Sequence, residues 1–298
     1  MKLSKLGVWA GMDGFTAEEA AAFAKRVEAW GYGALWIPEA TGRNSFVLAA
    51  WLLANTTKLI IATGIANIYA RDWVAAASAQ KALNEQSGGR FLLGLGVSHV
   101  PLVEGFRGQH YGKPVATMRA YLEGMKNARY TAPPPPEPPK TVIAALGPNM
   151  LALAAEQADG AHPYNVTAEH TAEARKILGQ AKWLCPEQMI LAETDPTKAR
   201  AKARETLAIY LSLPNYLNNW KRLGFTESDF ADGGSDRLID ATVAWGNDEA
   251  IRARLEAHWN AGADHVCIQA LGTAGTPMPR PDEELLNRFA PGPDKNRR

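Results

Sequence analysis

Two histidines stand where the chain leaves predicted β-strands. His99 follows the apolar run 91–97, and His162 lies within the short apolar segment 161–164. In parallel α/β sheets, catalytic and binding side chains gather at the carboxyl ends of the strands. An imidazole at such an end can take up or release a proton near neutral pH. The positions therefore suit a functional role for both histidines, and a satisfied core histidine is the alternative.

Glu39 is the third candidate for chemistry, because it follows the predicted strand 34–37. A carboxylate there could act as a general base, contact a cofactor, or simply be solvated. The six histidines show neither HxxxH nor HExxH spacing, and Cys185 and Cys267 form no CxxC pair. We therefore predict no metal site. The sequence also contains neither GxSxG nor a Walker motif.

Three glycine-bearing segments could bring a ligand close to the main chain. Gly64 interrupts a buried apolar run, which indicates either a distorted backbone or a packing glycine. The segment GLGVSH (94–99) begins like the dinucleotide-binding fingerprint GxGxxG, but His99 occupies the position of the last glycine. Its glycines either admit a flat ligand or relieve crowding within the sheet. Residues 147–149 (GPN) open a predicted helix, either as an anion site or as an ordinary helix start.

The elements that must position these residues alternate between strand and helix. Alternation of this kind requires a parallel sheet, and eight repeats in about 250 residues are typical of a (β/α)8 barrel. A doubly wound open sheet would need a phosphate fingerprint in its first turn, where this chain has GMDGF. We therefore predict an α/β fold, a (β/α)8 TIM barrel with insertions in its βα loops at 100–113 and 214–234. The predicted strands are 3–10, 34–37, 59–66, 91–97, 141–146, 161–164, 189–194 and 265–270.

Composition limits the classes of partner and compartment. The 298 residues are 46% hydrophobic with a formal net charge of +1, which gives no indication of nucleic-acid or membrane binding. The cysteine usage suits a reducing cytoplasm. We expect one domain over 1–298, with a proline- and charge-rich tail at 272–298 that is partly disordered. The segment 214–234 is expected to be irregular, and 235–245 to be a short helix.

Several segments resemble the luciferase-like monooxygenase superfamily, and within it the oxidoreductases that use the deazaflavin coenzyme F420. The resemblance implies a (β/α)8 barrel, a homodimer, a small-molecule substrate and a bound coenzyme F420, with FMN as the alternative cofactor. The ATGI…SGGRF…GLGVSH run is its most specific part. The segments that carry it are 31–40, 62–72, 87–99, 110–114, 144–164 and 262–271.

The resemblance also implies roles for particular residues. It predicts a non-prolyl cis peptide at Gly64-Ile65 behind the cofactor ring, and the phosphate at the 146–149 turn. Glu39 and His99 become the candidates that handle the proton. The implied cofactor-binding residues are Pro38, Glu39, Gly64, Ile65, Asn67, Gly96, Val97, Ser98, Leu146, Gly147, Pro148, Asn149, His162 and Tyr164.

The implied reaction is hydride transfer between coenzyme F420 and a small organic substrate. Family members that oxidise alcohols or sugar phosphates often carry a histidine directly after the acidic residue of strand two. Ala40 occupies that position here, which favours reduction of an unsaturated or carbonyl compound. The alternatives are an FMN-dependent monooxygenase of the same fold and a non-catalytic barrel that only binds a ligand.

Overall fold

Parallel strands and helices alternate along the chain. The computed structural model of the protein describes residues 1–272 and 280–292. Within these residues the strands are β1 (Leu6–Trp9), β2 (Ala34–Ile37), β3 (Ile60–Thr63), β4 (Ala66–Asn67), β5 (Phe91–Gly96), β6 (Lys140–Ile143), β7 (Gly160–Ala161), β8 (Trp183–Leu184), β9 (Glu187–Leu191), β10 (Val243–Trp245) and β11 (Val266–Ala270). The α-helices are α1 (Ala17–Ala29), α2 (Ser45–Ala54), α3 (Trp73–Ser87), α4 (Pro114–Asn127), α5 (Pro148–Gln157), α6 (Ala168–Leu178), α7 (Pro196–Leu207), α8 (Pro214–Arg222), α9 (Glu227–Phe230), α10 (Asp236–Thr242), α11 (Asp248–Asn260) and α12 (Glu283–Arg288).

The parallel sheet closes on itself. Its strand order is β10-β9-β11-β1-β2-β3-β5-β6-β7-β8, with β4 also paired to β5. Strands β8 and β9 belong to one continuous segment, 183–191, and join the two sides of the sheet, because β8 pairs with β7 while β9 pairs with β11. This closure, with helices around the outside, confirms the predicted α/β barrel.

The closing segment differs from its predicted extent. The seventh strand was predicted at 189–194, but pairing begins at Trp183 and ends at Leu191. Pro186 separates β8 from β9, and a proline within a segment disfavours the prediction of a central strand. A proline still offers a carbonyl, and that of Pro186 accepts a hydrogen bond from the Cys267 backbone N–H at 3.0 Å.

The predicted helix over 235–245 is wrong in its last turn. Helix α10 ends at Thr242, and β10 then pairs in parallel with β9. Val243 takes an extended conformation, with φ −109° and ψ 127°, and ends the helix. Two neighbouring apolar residues, Val243 and Ala244, are buried by this pairing, which stabilises a strand over a further helical turn.

The segment 214–234, expected to be irregular, contains helices α8 and α9. Pro214 occupies the first position of α8, where its missing N–H costs no helical hydrogen bond. Tyr216 and Trp220 lie one turn apart and are both buried. That single apolar stripe is enough to fix a short helix against the barrel mouth.

Part of the tail is also ordered. Asp282 caps α12 by accepting a hydrogen bond from the Leu285 N–H at 2.9 Å, and Leu285 and Leu286 are buried. The stretch 280–292 of the predicted tail therefore packs against the barrel through α12, and the expectation of partial disorder concerns the remaining residues. Residues 273–279 and 293–298 lie outside the described part of the chain.

The core has two layers because strand side chains alternate. Trp36 points into the barrel with Ala62 and Leu92, while Leu35 and Ile37 pack outward with the helices. Full burial of each large apolar side chain contributes about 1.5–3 kcal/mol. Among the helices of residues 1–272 and 280–292, none has the length and apolar character that crossing a bilayer requires.

Candidate active site

A cavity of about 690 Å³ opens at the carboxyl ends of the barrel strands. Of the residues predicted to bind the cofactor or handle the proton, all but Asn67 line it. Residues far apart in sequence thus surround one space, and several strand ends bring them together. The predicted residues at this cavity are Pro38, Glu39, Gly64, Ile65, Gly96, Val97, Ser98, His99, Leu146, Gly147, Pro148, Asn149, His162 and Tyr164.

The third barrel strand is interrupted at the predicted position. The Gly64-Ile65 peptide is cis, as the resemblance implied, and it separates β3 from β4. The Gly64 carbonyl accepts a hydrogen bond from Trp9 Nε1 at 2.9 Å. A Cβ atom on Gly64 would lie 3.1 Å from His162 Nε2. The cis peptide supports the distorted-backbone interpretation of Gly64, and these short distances show that the residue is also a packing glycine.

Crowding explains the next pair of glycines. A Cβ on Gly94 would lie 2.0 Å from the Thr63 carbonyl oxygen, and one on Gly96 would lie 2.5 Å from Ile65 Cδ1. The packing interpretation therefore holds for both residues. Gly96 also lines the cavity, so at this position the main chain is accessible to a ligand as well.

Glu39 accepts four hydrogen bonds from three neighbouring residues. Arg71 pairs with it through both guanidinium Nη atoms, one of them 2.9 Å from Oε2. The backbone N–H groups of Ser45 and Asn67 donate to its two oxygens at 3.1 and 2.9 Å. Burial by itself would raise the pKa of Glu39, but Arg71 and these N–H groups outweigh it and lower the pKa. The carboxylate is therefore ionised and fully hydrogen-bonded.

Asn67 lies behind the cavity rather than along it. Its side-chain oxygen accepts a hydrogen bond from the Tyr69 N–H at 2.9 Å and caps a short 3-10 helix over Ile68–Ala70. The side chain is buried. In this structure Asn67 thus shapes the chain that follows β4, and its contact with a cofactor stays a prediction.

His99 is partly buried at the cavity, beside α8. Its ring lies 5.9 Å from that of Tyr216, and a hydrogen bond with the Asn215 side chain favours its protonated form. Burial is the larger influence, so the pKa of His99 lies below its ordinary value of 6.5. The Ser98 carbonyl next to it accepts a hydrogen bond from the Tyr111 hydroxyl at 3.2 Å. This bond ties the long 100–113 loop to the end of β5.

His162 is a buried neutral imidazole that faces the cavity. Its ring stacks on Trp36 at 4.4 Å, and Nδ1 lies 2.7 Å from the Cys185 carbonyl oxygen. Because a carbonyl only accepts, Nδ1 carries the proton and Nε2 presents a lone pair. Burial lowers the pKa of His162 to about 4, and Nε2 has no hydrogen-bond partner.

Tyr164, Tyr210 and Tyr216 form one wall of the cavity. Of these three residues, only Tyr164 was predicted from the sequence. The Tyr164 hydroxyl donates to Gln269 Oε1 at 2.9 Å and lies 2.9 Å from the Tyr210 hydroxyl. Since the Tyr164 proton is used at Gln269, Tyr210 donates to Tyr164. Burial raises the pKa of Tyr210 to about 12, so it stays neutral. Tyr210 and Tyr216 come from the segment after α7, whose aromatic content was the only signal available from the sequence.

The turn before α5 forms the more exposed end of the cavity. Gly147 caps the helix without a side-chain hydrogen bond, and Pro148 is its first residue, as predicted. The guanidinium of Arg222, from α8, lies against this turn, with Nη2 3.3 Å from the position of a Cβ on Gly147. His170 Nε2, also missed by sequence reasoning, lies 2.8 Å from the Leu146 carbonyl oxygen. A positive helix end and a cation thus meet at one point.

The protein is a parallel barrel with a ligand cavity at its strand ends. A distorted third strand and a helix N-terminus border this cavity, an arrangement that suits barrel enzymes with a flavin-type cofactor. The family model for luciferase-like monooxygenases matches residues 2–265. The chain therefore belongs to the luciferase-like monooxygenase family, as the sequence resemblance indicated.

Individual relatives are distant. A Mycobacterium tuberculosis protein whose name provisionally assigns it as a coenzyme F420-dependent oxidoreductase is 25% identical, covering 92% of this chain and 96% of its own. An F420-dependent secondary alcohol dehydrogenase, solved with an F420-acetone adduct, superposes with a TM-score of 0.72 at 14% identity, covering 90% of this chain and 93% of the other. The oxygenating constituent of the 3,6-diketocamphane monooxygenase from Pseudomonas putida, solved with FMN, gives 0.66 at 14% identity, with 89% and 91% covered. The two structural likenesses concern the fold.

Proposed function

We propose that this protein is a coenzyme F420-dependent oxidoreductase that reduces a small unsaturated or carbonyl compound. The observation that carries the proposal is the cavity itself, which has a cationic end at Gly147 and Arg222 and an aromatic end at Trp9 and Tyr164. A cofactor with an anionic tail and a flat ring matches that arrangement. The relative of M. tuberculosis, similar over nearly its whole length, supports the same cofactor class.

The residues present fit a deazaflavin. The N–H groups at the start of α5 and the Arg222 guanidinium would hold its phosphate. Gly64 and Gly96 both line the cavity, so a flat ring could lie against the main chain at these positions. When bound, the deazaflavin supplies the hydride, and the chain contributes orientation, exclusion of water and a proton.

His99 is the residue that we propose as the proton donor. It lines the cavity, and the neighbouring Asn215 side chain favours its protonated form. Glu39 has the opposite character, because Arg71 and two backbone N–H groups keep it ionised. We therefore assign Glu39 a positioning role, in which it fixes the chain around Asn67 at the cavity edge.

Substrate preference is proposed from the remaining cavity wall. The side chains that line it beyond the cofactor residues are mainly apolar or aromatic, and Glu39 is already neutralised by Arg71. A neutral substrate suits such a wall, because an anion or cation would lose its hydration without a partner. The lining residues of this wall are Leu102, Tyr111, Val115, Leu213 and Tyr216.

An FMN-dependent monooxygenase is the second candidate function. The observation in its favour is the fold, which is also that of the P. putida monooxygenase solved with FMN. FMN shares the phosphate and the tricyclic ring with coenzyme F420, so the α5 turn and the glycines suit both. The two functions differ in their response to oxygen, since a monooxygenase consumes it.

Titration of the apo protein with each cofactor tests the proposal. We expect coenzyme F420 to bind more tightly than FMN, followed by anaerobic oxidation of reduced F420 when a neutral enone or ketone is added. Quenching of cofactor fluorescence measures binding, and loss or gain of the deazaflavin absorbance measures turnover. Tight binding of FMN alone, with oxygen uptake under turnover, would establish the second candidate instead.

We also propose that the chain forms a homodimer. Helices α2 and α3 contact each other and expose apolar side chains, with Val47 70%, Trp51 42%, Trp73 47% and Val74 47% accessible. Apolar side chains grouped in this way are typical of a protein interface. Analytical ultracentrifugation of the wild type and of Val47→Lys tests this, and a wild-type monomer would contradict it.

A further inference from the structure

The inner end of the cavity contains one acceptor without a partner. Trp9, Gly64, His162 and Tyr164 line this end, next to the barrel interior. Trp9 Nε1 donates to Gly64, and the Tyr164 hydroxyl is bonded to both Gln269 and Tyr210. Among the three side chains at this end, those of Trp9, His162 and Tyr164, only His162 has a buried polar atom, Nε2, with no hydrogen bond. A buried lone pair of this kind favours a ligand that presents a donor.

The direction of this lone pair is fixed by the protein. Trp36 stacks against the His162 ring, and the Cys185 carbonyl takes the Nδ1 proton. Rotation of the ring by a half turn would place Cδ2 where Nδ1 now lies and would lose this hydrogen bond. The main chain of Gly64 lies next to Nε2, since a Cβ on this residue would be 3.1 Å from that atom, and both residues line the cavity. The acceptor therefore stays aimed at the space beside the cis peptide.

The two candidate cofactors differ in the chemistry that they could offer this acceptor. The benzenoid edge of the F420 deazaflavin carries a phenolic hydroxyl, whereas that of FMN carries methyl groups. The pyrimidine edge, which both share, presents two carbonyls around one N–H and needs several donors. The side chains at the inner end offer no free donor, since the N–H of Trp9 and the hydroxyl of Tyr164 are already used.

We propose that His162 Nε2 accepts a hydrogen bond from the phenolic hydroxyl of coenzyme F420 and thereby selects the deazaflavin over FMN. This inference rests on the proposed function and assigns the residue that determines cofactor specificity. An apolar wall with one acceptor complements an apolar ring edge with one donor. A methyl group at the same point would leave Nε2 buried and unpaired, which disfavours FMN.

The test compares dissociation constants of coenzyme F420 and FMN for the wild type and for His162→Phe. Phenylalanine keeps the stack on Trp36 and removes the acceptor. We expect binding of F420 to weaken about tenfold while binding of FMN is unchanged or tighter. His258→Phe is the matched control, because His258 is a buried histidine with both nitrogens bonded, to Thr171 and Gln188, outside the cavity. That variant should leave the ratio of the two constants unchanged.

A second arm changes the ligand and leaves the protein intact, in case His162→Phe does not fold. The methyl ether of the F420 phenol should bind the wild type about tenfold more weakly than F420 itself. The visible absorbance of F420 reports ionisation of its hydroxyl, and binding beside a neutral imidazole lone pair should raise the pH at which this occurs. In His162→Phe that rise should shrink.

The outcomes separate the two proposals. If the wild type binds F420 but His162→Phe weakens F420 and FMN equally, His162 faces the shared pyrimidine edge and the inference is wrong. Equal affinity of the phenol and its methyl ether would also overturn it. If the wild type binds no F420, the proposed function fails, and the inference fails with it.

Discussion

Arg71 and Glu39 form a buried two-point ion pair at the rim of the cavity. Their side chains are 10% and 4% exposed, and the Arg71 guanidinium also stacks over the Phe46 ring at 4.3 Å. The pair joins the end of β2 to the chain that follows β4, because Glu39 also accepts from the Asn67 N–H. It is therefore a positioning device for the third-strand interruption.

Replacement of Arg71 by methionine should be strongly destabilising. The change leaves the Glu39 carboxylate buried without its counter-ion, and loss of one partner of a buried pair costs about 3–5 kcal/mol. Urea denaturation measures the free energy of unfolding. The double variant Glu39→Gln, Arg71→Met should recover most of the loss, because no uncompensated charge remains. Equal stability of the single and double variants would contradict this account.

The proposed role of His99 predicts a particular pH dependence. Burial places its pKa below 6.5, so the charged donor is lost as pH rises through a value on the acid side of neutrality. We expect kcat to fall with rising pH through that range. His99→Asn should lower kcat about a hundredfold and remove this limb of the profile. A variant that keeps the limb would exclude His99 as the titrating group.

Asn215 provides an independent test of the same histidine. Its hydrogen bond favours the protonated imidazole and offsets part of the effect of burial. In Asn215→Leu this support is removed, so the limb of the kcat profile should move to lower pH. Cofactor binding at neutral pH, where His99 is already neutral, should change little. A shift to higher pH would show that Asn215 does not favour the protonated imidazole.

Arg222 should contribute to affinity for the cofactor tail alone. Arg222→Ala removes the cation beside Gly147, and we expect coenzyme F420 to bind about tenfold more weakly. The deazaflavin nucleoside without phosphate should bind both proteins equally. Arg237→Ala is the matched control, since Arg237 is an exposed arginine paired with Asp229 and outside the cavity lining. Equal losses for both ligands would indicate a general effect of the variant on the cavity.

Three buried histidines should make the fold sensitive to acid. Burial lowers the pKa of His162, His258 and His265 from 6.5 to about 4. Between these values the unfolded chain binds more protons than the folded one, so stability falls as pH decreases from 6.5 towards 4. Each residue accounts for about 2 kcal/mol at pH 5. His258→Gln should therefore reduce the difference in unfolding free energy between pH 7 and pH 5 by about that amount.

Local patterns predicted the parts of the fold that local interactions stabilise. Thr16 and Glu19 form the predicted capping box at α1. Strand β2 has its predicted bounds, since its apolar residues are buried on both faces. Patterns failed where a proline stands within a paired segment, at Pro186, and where a helix is stabilised mainly by packing, at α8. In those places the tertiary contacts outweigh the intrinsic preferences of the residues.

By itself, the sequence determined the barrel class, because alternating strands and helices require a parallel sheet. Its resemblance to a known family indicated 14 of the 30 residues that line the cavity. Only the tertiary structure decided what each side chain does there. It placed hydrogen-bond donors around both carboxylate oxygens of Glu39, and it left His162 Nε2 without a hydrogen bond beside Gly64. It also brought Arg222 to Gly147 across 75 residues of chain, because α8 packs against the barrel mouth. Such contacts depend on how the segment after α7 folds back, and no local pattern encodes that.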